Sequence, residues 1–471
     1  MTPWNEQTDI VIVGSGVAGL SAAIEADQAG ASVIVLEKMK ITGGNTRISD
    51  GGLAAPGNYL QKERGVEDSP DLFYEDMLKA GLGINHPHLV RIVADRAAEA
   101  IDWTRDVLGV PYLDRLDRFG GHAVARCLTT INHSGADLIR AQRAFLEQTK
   151  VDIRTRCLMT RLITDSSGAV TGVEIRDGYT HDDAKSGTAH TIRARRAVVL
   201  ATGGFGNDIA FRMLQNPKLD ETIKTTNHRG ATAEGLIAAL KIHAAPIHLS
   251  WIQVGPWGCA DETGYGRGAS FASYSVYPAG ILVDPATGRR IVNEWADRRQ
   301  RSEAIFRTGH ECIGLVDGKG AEKAADSLKS CLKIGCVKPF ETLADLASAY
   351  DMPAGQLEAT VKSYNQMIDE KKRDEFGKPL EQDAFPLKTP PFYAIRLWPK
   401  VHYCPGGVGI NEKAQVIDLD SRPIPRLYAA GEVCGGIHGA SRLGSCALTE
   451  CIVFGRIAGR QAAALQPGES V

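Results

Sequence analysis

Long apolar runs are missing from this sequence. No stretch reaches the roughly 18 apolar residues that a membrane-spanning helix needs. The uncharged segment Ile10–Ile24 is broken by three glycines and two serines, and no membrane span is expected. Charge of one sign is missing too. In 471 residues, 54 Lys and Arg stand against 56 Asp and Glu, a net of −2. That balance leaves no concentrated positive surface for nucleic acid or anionic lipid. Met1–Glu6 lacks a basic stretch followed by an apolar one, so no secretory signal is expected. No CxxC or CxxCH occurs among the ten cysteines. Zinc ribbons, dithiol redox pairs and attached haem are therefore not expected. Cys331 and Cys336 form an informative pair, but at a spacing without a clear metal reading. No metal site is expected, and most thiols read as small buried hydrophobes in a reducing, cytoplasmic compartment.

Glycine is abundant, with 50 residues, against a usual share of about 7%. Close backbone approaches around a large ligand are implied. Ile10–Val13 is a short β-branched run that reads as a buried strand. It leads into Gly14-Ser15-Gly16-Val17-Ala18-Gly19, then a helical stretch from Leu20 to Ala29 ended by Gly30. Ala31–Glu37 reads as a second strand, completing a βαβ unit. Gly14 permits the tight turn, Gly16 lets backbone approach a pyrophosphate at the helix start, and Gly19 allows close helix–strand packing. Glu37 at the second strand's end suits a ribose diol, which selects FAD or NAD over NADP.

Further segments point to flavin. Thr42-Gly43-Gly44-Asn45-Thr46, followed by Gly51-Gly52, lies just past Glu37 and Lys38. Ala197–Leu200 is a buried strand ending in Ala201-Thr202-Gly203-Gly204. Leu427–Ala430 is another, ending in Gly431-Glu432, an acid suited to ribityl hydroxyls. Thr232-Ala233-Glu234-Gly235-Leu236 is expected to start another helix. Arg442-Leu443-Gly444-Ser445-Cys446-Ala447-Leu448 leads into a helix running to about Ala464. The positive end of that helix would stabilise a reduced, anionic flavin.

These motifs resemble the flavoprotein subunits of the fumarate reductase/succinate dehydrogenase superfamily, nearest in pattern to soluble flavocytochrome-c-type fumarate reductases without their haem domain. The chain is also similar to urocanate reductases and 3-ketosteroid dehydrogenases. The resemblance implies an α/β fold: a Rossmann-type, glutathione-reductase-like FAD-binding domain with an inserted α+β capping domain. Residues 1–250 and 402–471 would form the FAD-binding domain and 251–401 the cap. Within the cap, a hairpin is expected from Gly280–Val283 and Arg290–Glu294 around Pro285–Gly288, with a helix over Ala354–Lys372. FAD-binding positions would be Gly14, Gly16, Val17, Ala18, Glu37, Lys38, Gly43, Gly44, Asn45, Thr46, Gly51, Gly52, Ala201, Thr202, Gly203, Glu234, Gly235, Gly431, Glu432, Arg442, Ser445, Ala447 and Leu448.

The resemblance also implies a reaction, hydride exchange between flavin N5 and a C=C/CH–CH bond beside a carboxylate or carbonyl. His402, in a His-x-x-x-Gly-Gly segment, and Arg442 match the pair that holds one substrate carboxylate. Arg298 matches the proton-donating arginine, with Arg299 as the register alternative. Gln253 matches a conserved-pattern Gln, but the His that follows it in fumarate reductases is Gly255 here. The family's relay Glu and Arg fall at Ser273 and Val276, and a carboxylate-holding Thr falls at Ala272. Three groups that grip the far end of fumarate are thus replaced, and Tyr274 and Tyr277 are offered instead as substrate-binding residues. An unpartnered second carboxylate would cost at least about 2–3 kcal/mol. The substrate expected is an α,β-unsaturated monocarboxylate, not fumarate. A dehydrogenase of a saturated acid or cyclic ketone, with Tyr403, Tyr274 or Tyr277 polarising the ketone or taking a proton, stays open. So does a non-catalytic electron-transfer module. The electron donor or acceptor would be external, since no haem, FMN or iron–sulfur motif occurs.

Covalent members of the superfamily carry a His just before the double glycine, where this chain has Ile41-Thr42. FAD is therefore expected to be non-covalent. Acid precipitation should leave all yellow colour in the supernatant; flavin retained on the precipitated chain would contradict this.

Overall fold

The computed structural model describes residues 3–380 and 384–467. The chain divides into two units. Met1–Asp220, His228–Ile252 and Tyr403–Val471 form the first, and Glu221–Asn227 with Gln253–His402 the second. The short segment 221–227 departs from the first unit because the Thr226 amide donates to the Val401 carbonyl at 2.9 Å, and Thr225 bridges the same residue. A sequence boundary at 250 does not separate it.

In the first unit the strand Glu6–Val13 is buried from Thr8 onward, which suits a parallel strand covered on both faces. Ile12 lies beside Val35 on one side and Val199 on the other, both in parallel register. The sheet order is Gln415–Ile417, Pro423–Ala429, Thr188–Leu200, Glu6–Val13, Val33–Glu37, Asp152–Thr155. Only the first of these neighbouring pairs is antiparallel. The hairpin Cys157–Thr164 and Val170–Asp177 attaches to Thr188–Leu200. The Asp165 carboxylate closes its turn by accepting from the Ser167 amide at 2.9 Å.

The first helix spans Val17–Gln28, starting before Leu20. Gly16 is extended and ends the turn, and the Val17 amide donates to Thr46 Oγ1 at 3.2 Å. Gly14 sits at φ +110, where a Cβ would collide with the Ala201 carbonyl. The turn and the neighbouring strand end therefore require glycine there. The last helix, Cys446–Ala464, packs along Val17–Gln28. A Cβ on Gly455 would strike the Ala18 carbonyl, so a small residue sets that approach.

The second unit is built on an antiparallel sheet ordered Arg289–Arg290, Ile281–Asp284, Cys312–Val316, Phe392–Leu397, Val337–Phe340. Alternation along the strands makes two cores. Leu282, Val316, Ile395 and Leu397 join one, with Phe271, Tyr277 and Ile305. Ile281, Val283, Ile313, Leu315 and Ala394 join the other, with Tyr364 and Phe392. The helix Ala354–Asp369 lies on this second side.

The expected hairpin has a shorter second arm than Arg290–Glu294, ending at Arg290. The Glu294 side chain takes the place of a further strand bond, accepting from the Leu282 amide at 3.0 Å. Arg290 holds Glu294 at 2.7 Å and Asp374 at 2.5 Å, with Lys378 3.6 Å from Glu294. All four side chains are at most 1% exposed. Burial drives the Lys378 ammonium down to about 8, against the pull of Glu294. Removing one member of such a set leaves an uncompensated buried charge. Glu294→Ala should destabilise the chain by about 3–5 kcal/mol, read from denaturant unfolding; a loss below about 1 kcal/mol would mean that water replaces the carboxylate.

Candidate active site

The first unit contains a cleft of about 900 Å³, part of it open to solvent. Its walls come from loops at the carboxyl ends of the parallel strands, the usual place for a ligand in an open α/β sheet. Gly14, Gly16, Val17, Ala18, Glu37, Lys38, Gly44, Asn45, Thr46, Ala201, Thr202, Gly203, Glu234, Gly235, Gly431 and Glu432 line it. Gly44 and Gly203 have nothing within 4 Å of where a Cβ would stand, so backbone there is open to a ligand. Glu37 accepts from the Ser15 hydroxyl at 2.5 Å and the Met39 amide at 2.9 Å, which leaves lone pairs for a diol. Lys38 reaches Thr232 and pairs with Glu234 at 3.0 Å. Glu432 is buried, which raises its carboxyl, and it accepts from the Cys404 amide at 2.9 Å and Asn45 at 3.4 Å. Asn45 Oδ1 in turn accepts from the His228 amide at 2.8 Å. Strand-end glycines, an exposed run of amides and acids at both ends fit an extended dinucleotide.

Gly43, Gly51, Gly52, Arg442, Ser445, Ala447 and Leu448 are not among the residues lining that cleft. Gly52 and Ser445 pack on each other, since a Cβ on Gly52 would stand 2.5 Å from Ser445 Oγ. Ser445 caps the last helix at φ +61, a conformation that a serine adopts only under strain. The sequence reading missed Met39, His228, Gly230, Cys451 and the Cys157–Met159 strand segment, which also line the cleft. These carry no phosphate-loop signature and arrive only through the sheet's topology.

Elsewhere in this unit, the Arg442 guanidinium lies 4.7 Å over the Tyr403 ring, and Nη1 donates to the Leu443 carbonyl at 2.9 Å. His438 meets the same ring edge-on at 5.5 Å. Tyr403 is buried, which raises its phenol well above the ordinary value. Next along the last helix, burial pushes Glu450 up to about 8, and its Oε1 meets no hydrogen-bond partner.

The second unit gathers a different set. Arg298 is the first residue of the helix Arg298–Thr308, whose N-cap Asp297 accepts from the Gln300 amide at 3.1 Å. Arg298 Nη1 donates to Gln253 Oε1 at 3.3 Å, and its guanidinium lies 4.3 Å over the Trp257 ring. Trp257 meets the His402 imidazole edge-on at 5.0 Å, and Tyr265 lies 6.2 Å from it. Thr226 Oγ1 sits 2.8 Å from His402 Nδ1 and fixes the ring. Trp257 and Thr226 were invisible to motif reading. Arg299 instead pairs with Glu303 at 2.9 Å in an ordinary i,i+4 bridge, and Arg301 is buried over the Tyr277 ring at 4.2 Å. Of the crowded arginines, only Arg298 joins Gln253 and His402.

Gly255 explains how Trp257 sits there. A Cβ on Gly255 would stand 2.9 Å from the Trp257 indole, so the indole fills the space a side chain would take. Tyr277 needs correction as a substrate-binding residue: its hydroxyl donates to the Pro256 carbonyl at 2.8 Å and it is 2% exposed, so it is core. Tyr274, on the turn Ala272–Val276, is half-buried against the same core.

Comparison with known proteins agrees with this class of fold and cleft. The chain belongs to the FAD binding domain family, which it matches over residues 9–448. It is 41% identical over 465 residues to the acrylate reductase flavoprotein subunit of Shewanella woodyi, covering 97% of this chain and 91% of that one. It is 35% identical over 470 residues to a urocanate reductase of Eggerthella lenta, covering 97% and 75%. Its fold is similar to a flavocytochrome c3 fumarate reductase in an open conformation, with a TM-score of 0.78, 32% identity and coverage of 98% and 78%. A 3-ketosteroid Δ4-(5α)-dehydrogenase from Rhodococcus jostii shares the fold at a TM-score of 0.78 and 24% identity, covering 98% of each chain. The protein is an FAD-dependent oxidoreductase acting on CH–CH bonds. Among the described residues, no helix is long and apolar enough to cross a membrane.

Glu450 makes the first unit's stability pH-dependent. The folded chain keeps its proton to about 8, whereas the unfolded chain releases it near 4.5. Folding binds a proton in that window, so stability falls as pH rises through it. Glu450→Gln should lose at least about 2 kcal/mol less than wild type between about pH 5 and about pH 9, read from denaturant midpoints; parallel profiles would show the carboxyl titrating normally.

Proposed function

We propose that this oxidoreductase reduces the C=C bond of an α,β-unsaturated monocarboxylate. The observation that carries the reading is Trp257 filling the space beside Gly255. Where a dicarboxylate would need a second cationic or hydrogen-bonding grip, the second unit presents an indole, buried at 3% exposure. The indole offers one N–H donor, not the paired grip that would offset the lost hydration of a second carboxylate. The S. woodyi relative supports the reading, since acrylate has a single carboxylate.

FAD, when bound, would supply the hydride chemistry. The chain's own part is polarisation and proton delivery. His402, oriented by Thr226, and Arg442 are assigned to the substrate carboxylate, the arginine because its fork grips two oxygens at once. Arg298 is assigned as the proton donor to the α carbon. Gln253 holds its Nη1, and the Trp257 face favours the cationic form. Arg298 is only half-buried, so water can restore its proton. With Ser273 and Val276 at the family's relay positions, no side-chain relay is assigned. The dehydrogenase reading loses two of its three candidate bases: Tyr277 is spent on Pro256 and buried Tyr403 holds its proton more tightly than usual, which leaves Tyr274. FAD is bound non-covalently, and electrons come from a separate donor, in keeping with a relative named as a flavoprotein subunit. The ten free thiols, nine of them buried, favour the cytoplasm.

Turnover with a chemically reduced dye and a panel of acrylate, cinnamate and fumarate tests the substrate class. Acrylate or cinnamate should be reduced at least tenfold faster than fumarate; equal or faster fumarate turnover overturns the monocarboxylate reading. Arg298→Ala and Arg298→Lys should keep bound FAD and lose about 10²–10⁴-fold in kcat. Rates near wild type in both would remove Arg298 from proton transfer.

A further inference from the structure

The second unit also holds a thiol cluster that the reaction does not use. Cys259 Sγ, Cys336 Sγ and a Glu262 carboxylate oxygen lie within 4.8 Å of one another. Cys331 stands next to Cys336, whose amide donates to the Cys331 carbonyl. Cys259 and Cys331 are 0% exposed and Cys336 4%, while half-buried Glu262 marks the side open to solvent. We propose that Cys259, Glu262 and Cys336 bind a zinc ion, with Cys331 as the neighbouring thiol able to complete a tetrahedron.

Two turns present the donors in pairs. The Glu262 amide donates to the Cys259 carbonyl at 3.4 Å, folding Cys259-x-x-Glu262 back on itself. The second pair straddles the end of the helix Ala325–Ile334, where Gly335 at φ +79 lets the Cys336 amide return to the Cys331 carbonyl at 3.2 Å. Sequence spacing hid the site because the halves lie more than 60 residues apart and one donor is a carboxylate. The Cys259–Leu397 bridge places the first half on the same sheet whose edge strand, Val337–Phe340, carries the second.

The surroundings are those of a held ligand set. Both Glu262 oxygens accept backbone amides, Oε1 from Arg267 at 2.8 Å and Oε2 from Gly268 at 2.7 Å. Such outer bonds fix a ligating carboxylate and leave it lone pairs for the metal. Lys400 Nζ donates to the Glu262 carbonyl at 2.6 Å and the Gly264 carbonyl at 3.2 Å, offsetting negative charge from thiolates and carboxylate. On binding, two S–H bonds break, two Zn–S bonds form and two protons leave to solvent. Two thiolates on one zinc stand about 3.8 Å apart, given Zn–S near 2.3 Å, so closure needs a shift of at most about 1 Å. Soft sulfur donors select zinc over magnesium or calcium.

The test uses the reduced, FAD-loaded full chain. After addition of Zn2+ and desalting, elemental analysis should find one zinc per chain. Co2+ in its place should give the intense long-wavelength ligand-field bands of a tetrahedral thiolate site. Cys259→Ser/Cys336→Ser should retain no metal while keeping its flavin, and Cys127→Ser, in the other unit and away from the cofactor cleft, should bind as wild type. Glu262→Gln keeps the thiols that pack the core; its zinc affinity should fall by about 10–100-fold, the loss that even outer partners cause. A wild-type chain that retains neither metal, or a double Ser variant or Glu262→Gln chain that binds as tightly as wild type, overturns the assignment.

Discussion

The contact on which the candidate substrate chemistry depends is between an indole and the absence of a side chain. Gly255 leaves room, Trp257 takes it, and the indole then organises the groups around it. One face supports the Arg298 guanidinium and one edge meets His402. A residue with any side chain at 255 would have to displace the ring. The missing side chain at Gly255 thus makes room for a cation–π platform under Arg298. Gln253 and Thr226 then fix the two cationic or donor groups from outside, each by one hydrogen bond.

The cofactor cleft works by the opposite principle. There the chain supplies backbone and withholds side chains. At Gly14 the turn and the strand end at Ala201 come too close for a Cβ, and at Gly455 the last helix approaches the first so closely that only glycine fits. Polar groups are confined to fixed points: Glu37 tied to Ser15, Glu432 tied to Cys404, and Asn45 linking Glu432 to His228. Preorganised in this way, the wall requires little rearrangement on ligand binding.

The second unit spends buried charge on architecture. Arg290, Glu294, Asp374 and Lys378 form a closed set under the sheet, and Glu294 also completes the strand bonding that Arg290–Glu294 does not continue. Arg301 is buried over Tyr277 in the adjoining core. An arginine-rich segment thereby sorts by depth: Arg299 on the helix surface, Arg290 and Arg301 in the interior, and Arg298 half-buried beside Gln253.

What the sequence determined by itself was the βαβ start, the strand-end glycines and acids, the long last helix and the family, because these depend on short-range periodicity and spacing. Gly14, Gly16, Glu37 and Glu432 were legible since each sits at the end of a recognisable strand. Only tertiary structure decided which of several adjacent arginines shares a cluster with Gln253, that Tyr277 belongs to the core, that Trp257 occupies the place beside Gly255, and that Cys259 and Glu262 meet Cys336. Those facts turn on how side chains from distant segments compete for the same volume, and no local pattern encodes the outcome of that competition.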